Sequence, residues 1–203
     1  MKKLLRNSLL LGAAVLGFSS VGSVVEAAPV DSSATADITP GTISLSSAPS
    51  FSFGTVPASA NDATYTSTSV TGNISLADAG SGTGYTVTVS ASPFTATDGS
   101  SLKSSQLLLD NSVTTPVTAV DADNVSTPPT LVSSLTLSSS PVTILSAASG
   151  SGVGAYTATY ANSDASLKVP AGNIGGSYSS TLTWTLSDTP TTAPTTPTST
   201  TTA

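Results

Sequence analysis

The chain has 203 residues, with eleven acidic against five basic side chains and neither His nor Cys. Past residue 27 only Lys103 and Lys168 stand against ten Asp, and Arg and Glu are absent. This inventory excludes a basic face for phosphate backbones, and with it nucleic acid as a partner; it also excludes thiol or imidazole metal sites, an arginine clamp and the commonest general base.

Taken in chain order, Met1-Lys2-Lys3 and Arg6 form a positive start, Leu9 to Phe18 an apolar core, and Val25-Glu26-Ala27 a small-residue cleavage site. Residues 1–27 therefore read as a signal peptide, cut after Ala27. Gly12, Gly17, Ser19 and Ser20 interrupt the apolar run, which is too short to span a bilayer. No second apolar run follows and no Cys is present to carry a lipid, so a secreted product with no direct membrane insertion after cleavage is expected.

Residues 28–41 lack periodicity and read as a flexible lead-in, and residues 191–203 as a disordered Thr/Pro-rich tail. Between them, 42–190 reads as one β domain. Roughly one residue in five there is Leu, Ile, Val or Phe, which borders on disorder, but charge is sparse and abundant Thr and Val favour extended strands. Short alternating runs occur at Thr42–Ser46, Phe51–Gly54, Val70–Leu76, Tyr85–Ala91, Leu102–Leu109, Thr114–Val120, Leu131–Ser138, Pro141–Leu145, Ala155–Tyr160, Ser166–Val169 and Tyr178–Ser187. In the clearest, Tyr85, Val87 and Val89 share one face, with Thr86, Thr88 and Ser90 on the other. The fold class this predicts is all-β, an antiparallel β-sandwich or barrel-like sandwich, with the Thr-rich faces in water. The Gly-rich stretches at 80–84 and 150–154 lack the spacing and following helix of a nucleotide loop and read as turns entering strands.

Candidate chemistry is thin. A serine nucleophile would need Lys103 or Lys168 as its base, and neither lies in a recognisable motif. Asp121 and Asp123 form the closest carboxylate pair, a formal basis for glycoside hydrolysis. Their segment also has the start of a calcium loop, but it lacks the Gly at the sixth position and has Val132 where the twelfth-position Glu belongs. A solvated turn is the simpler reading. We expect no catalysis, no metal and no cofactor.

One stretch carries a resemblance. Residues 176–190, GSYSSTLTWTLSDTP, resemble the distal signature of the WxL cell-surface family, Tyr-x-x-x-Leu-Thr-Trp-x-Leu followed by an acidic residue and Pro. The opening block GTISLSSAPSFSFGTVPAS, with Pro49, Phe51, Phe53 and Gly54, is similar to that family too. At the proximal signature the chain reads Gly84-Tyr85-Thr86-Val87, with Tyr where the family has Trp. The signature residues are thus Tyr85, Val87, Tyr178, Leu182, Trp184 and Leu186. The resemblance implies an exported protein of a low-GC Gram-positive bacterium whose domain binds peptidoglycan non-covalently, beside a membrane-anchored WxL-interacting protein. The tail has no Leu-Pro-x-Thr-Gly sorting signal, which agrees with non-covalent retention. Because acidity disfavours anionic lipid and anionic wall polymers, binding is expected through short-range contacts. Trp184 has two readings: a ring stacked on an amino sugar, or a core residue alternating with Leu182 and Leu186. Two rival functions remain: an adhesive or structural protein that binds another surface protein, and an Asp-dependent hydrolase.

Overall fold

A computed structural model describes residues 29–188. The chain divides into two units, Met1–Asp37 and Ile38–Ala203. In the first, residues 29–37 are exposed and carry no regular secondary structure. The expected signal peptide and the Thr/Pro tail lie outside the described residues.

The second unit is built from strands, with no helix among the described residues. It opens with β1 (Ile43–Ser47) and β2 (Ser50–Ser52), followed by β3 (Ala63–Thr66), a strand the alternation did not announce. The run expected as Val70–Leu76 is two strands, β4 (Ser69–Thr71) and β5 (Ile74–Asp78), parted at Gly72 and Asn73. β6 (Tyr85–Ala91) has the bounds its alternation predicted. β7 (Gln106–Asp110) begins later than Leu102, because residues 102–105 form a turn that Asn173 pins: its Oδ1 accepts from the Lys103 N–H at 2.7 Å. β8 (Val117–Ala119) comes next, and the single strand expected at Leu131–Ser138 is β9 (Thr130–Leu131) and β10 (Ser134–Leu137). The chain continues through β11 (Val142–Ala147), β12 (Gly154–Ala158), β13 (Ala165–Val169) and β14 (Leu182–Ser187).

These strands form three four-stranded sheets, in the orders β1-β5-β12-β8, β10-β7-β13-β3 and β14-β6-β11-β9, with β2 and β4 paired separately. Each pairing within them is antiparallel and no sheet closes into a barrel. The architecture is an all-β sandwich.

The inward faces share one apolar cluster, in which Ile74, Tyr85, Val87, Val89, Ile144, Leu145 and Ala165 have no exposed surface. Each of the larger aliphatic side chains contributes about 1.5–3 kcal/mol through burial, and the Ala165 methyl roughly 1 kcal/mol. The expected Thr-rich wet face is present on β14, where Thr183, Thr185 and Ser187 are exposed. It is absent on β6, where Thr86 is buried and Thr88 and Ser90 are half-buried. Among the described residues β6 has a neighbour on each side, whereas β14 has one. Flanking strands shade side chains on both faces of a central strand.

Candidate functional site

The two signature segments are adjacent strands. β14 runs antiparallel to β6, with Val87 opposite Leu186, Val89 opposite Trp184 and Ala91 opposite Leu182. Tyr85 and Trp184, alike in the sequence reading, have different surroundings. Tyr85 is fully buried and its hydroxyl donates to the Gly152 carbonyl at 3.3 Å. Burial pushes its phenol up, with Tyr156 and Asp78 nearby acting in the same direction. Val87 is equally buried. The proximal half of the signature is therefore core.

The distal half is not enclosed. Leu182, Trp184 and Leu186 pack on the core from the edge of the sheet and remain half-buried. Leu182 and Trp184, together with Tyr178, line a groove of about 790 Å³. Phe51 and Phe53 reach it from β2 and its exit, Tyr65 from β3, Phe94 from the loop after β6, and Leu107, Leu167 and Val169 from β7 and β13. Six of the nine aromatic side chains among the described residues meet there, and no residue lining it is charged. The remaining wall is Ser, Thr, Asn, Gly and Pro with a few small apolar groups.

Two long loops, 53–62 and 170–181, form much of the walls, and both are fastened. The Tyr65 hydroxyl donates to the Pro57 carbonyl at 2.7 Å and that of Tyr178 to the Ile174 carbonyl at 2.9 Å, so both rings are held by their tips. Ala171 N–H donates to the Asp62 carboxylate at 2.8 Å, tying one loop to the other. Asn173 donates to the carbonyls of Lys103 and Pro170 at 3.1 and 2.9 Å. Ser179 and Thr95 exchange two backbone hydrogen bonds of 2.9 Å, and Ser180 Oγ donates to the Ser92 carbonyl at 2.6 Å. At the rim, Val56 and Ile174 are apolar and exposed, Ile174 by 81%.

The titratable candidates lie elsewhere. Asp121 and Asp123 are exposed, and Asp121 Oδ1 accepts from the Asp123 N–H at 3.0 Å, a local turn. Lys103 and Lys168 are exposed. Asp78 and Asp164 are buried but brace turns. Asp78 accepts from the N–H groups of Ser81 and Gly82 at 2.6 and 3.1 Å; Asp164 accepts from Ala161 N–H at 2.7 Å and Ser112 Oγ at 2.6 Å. None of these residues lines the groove. Among the described residues no three His, Cys, Asp or Glu side chains gather to hold a metal, and no helix is long and apolar enough to cross a membrane. What the groove can do chemically is stack apolar faces and exchange hydrogen bonds with an uncharged ligand.

Of the signature residues, Tyr178, Leu182 and Trp184 meet at this groove, while Tyr85, Val87 and Leu186 do not line it. The sequence reading did not single out Tyr65 or Phe94, and it used Phe51 and Phe53 for a strand run and for the resemblance but not as site residues. Their signal was available: large rings in a chain poor in them, placed on short strands or loops where little core alternation explains them.

A protein-family model described as WxL domain, surface cell wall-binding, matches residues 25–190. No curated protein and no solved structure matches the chain.

Proposed function

The chain belongs to the WxL family of surface cell-wall-binding domains, and from that premise we propose that it is a non-catalytic protein that attaches non-covalently to peptidoglycan as a subunit of a surface complex. On this reading residues 1–27 direct secretion across the membrane of a Gram-positive cell, and the remainder is retained at the wall. The observation that carries the proposal is the uncharged, aromatic-lined groove beside the distal signature strand. A wall-binding protein with so few cations has little Coulombic attraction to offer, and this groove supplies short-range contacts instead. Asp121 and Asp123 sit in an exposed turn and do not line the groove, so the groove lends the hydrolase rival no support.

The test is co-sedimentation of residues 28–203 with peptidoglycan stripped of protein and secondary polymers. Saturable recovery in the pellet is expected; a protein that stays wholly in the supernatant overturns the proposal. A second reading, attachment to another surface protein such as a membrane-anchored WxL-interacting protein, is favoured by β14 itself. It pairs only with β6 among the described residues and has no charge or Pro over 182–187, so its edge can accept an added strand. The two readings separate in a pull-down that offers purified sacculi and the candidate partner in turn.

A further inference from the structure

We propose that the groove beside β14 takes an uncharged run of acetamido-bearing pyranoses, the glycan strand of the wall, and not its peptide stems or anionic polymers. The inference rests on the wall-binding reading and assigns it a site and a ligand class.

Charge complementarity selects this occupant. An anionic polymer or a peptide stem would bring carboxylates, phosphates or ammonium groups to a wall that holds no charged residue, on a chain with ten Asp. A charge desolvated there would find no counter-ion. The sugar rings themselves bring no charge, since the lactyl carboxyl on every second one is tied up in the amide that starts its stem. Their C–H faces suit the electron-rich faces of Trp184, Tyr178 and Phe53, and their equatorial hydroxyls suit the Ser and Asn of the wall.

The site is built before the ligand arrives. Because the Tyr65 and Tyr178 hydroxyls already donate to loop carbonyls, the rings are fixed and their faces are what remains to offer. Rings held in advance lose little freedom on binding. The groove volume of about 790 Å³ lies within the range of small-ligand sites, roughly 300–1,000 Å³. Exposed apolar groups at the rim, Ile174 above all, give acetamido methyls a place to rest. An added peptide strand fits this place poorly, since loop backbone such as Ser179 is already bonded within the fold.

Trp184 is the only tryptophan in the chain, so its emission reports on the groove without a label. We expect an N-acetylglucosamine hexamer to shift the emission of residues 28–203 to the blue, saturably and equally at low and high salt. Tyr178→Ala should weaken the hexamer and stripped peptidoglycan alike, by at least tenfold, while Val125→Ser, at a fully exposed loop position, changes neither. If Tyr178→Ala fails to fold, Ser177→Phe fills the groove from an exposed position, and the same loss is expected. An unmoved emission with intact sedimentation overturns the groove assignment and leaves wall attachment standing; loss of both overturns the two together. Undiminished hexamer binding by Ser177→Phe also overturns the assignment, as does a shift caused by a surface protein and not by the hexamer.

Discussion

At Trp184 one ring serves two neighbours, since it packs on the core opposite Val89 and also forms part of the groove wall. An aromatic side chain carries about 150–250 Å² of surface, and removing half of that from water is worth about 2 kcal/mol. Trp184→Ala should therefore cost about 2 kcal/mol, less than a fully enclosed ring, and lower Tm by roughly 4–8 °C for a domain of this size. A thermal melt checks this; an unchanged Tm would mean the ring contributes nothing to the edge of the sheet. Tyr160 poses a different question. Its ring stands edge-on to Phe51, with centroids 5.5 Å apart, yet its buried hydroxyl has no hydrogen-bond partner among the described residues. Burial pushes this phenol up, as does nearby Asp164, and burial acts likewise on Tyr85. A raised folded pKa means that folding holds the proton. The associated stability is complete below the unfolded tyrosine value of about 10 and is lost as pH rises beyond it. We expect Tm to hold to about pH 9 and fall above about pH 10. Tyr160→Phe should be neutral or stabilising at pH 7, because it removes an unsatisfied buried group, and should flatten the alkaline fall. A loss above about 1 kcal/mol at pH 7 would show that the hydroxyl has a partner.

At the scale of strands, β6 was legible to the residue because Tyr85, Val87 and Val89 alternate without interruption. β3 was not legible: Ala63-Thr64-Tyr65-Thr66 is short and holds one large apolar residue, and its place is set by pairing with β13. Split runs, β4 with β5 and β9 with β10, share a cause. A two-residue break leaves the sequence pattern nearly continuous while the partner strand changes. The groove was legible only in part, because Phe51, Tyr65, Phe94 and Trp184 belong to different strands and loops and no local period connects them. Gly84, by contrast, has a reason that only the structure supplies. It enters β6 at φ 81°, and a Cβ there would lie 2.6 Å from the Ala147 carbonyl oxygen and 2.8 Å from Ser149 N, backbone that cannot move aside. Gly84→Ala is expected to cost about 3 kcal/mol or more, strain and overlap together. Gly80→Ala, at φ 88° with open space around it, should cost about 1 kcal/mol. Paired denaturant titrations of the two variants measure the difference; equal losses would refute the steric account.

For the molecule as a whole, two lysines against ten aspartates past residue 27 set how it meets its surroundings. Salt screens exposed charges beyond about 8–10 Å at physiological strength and barely touches apolar contact. Recovery with stripped peptidoglycan should then be the same at low salt and in molar sodium chloride, measured by sedimentation. Release at moderate salt would mean that ion pairs, not the groove, carry attachment. One further consequence follows from the pairing of β6 with β14, which joins Val87 to Leu186 across most of the folded unit. A ribosome delivers the earlier partner long before the later one, and pairings so distant along the chain form slowly. Until Leu186 is made, Val87 has β11 on one flank and nothing on the other, so this sheet completes its pairing only once nearly all of the folded unit exists.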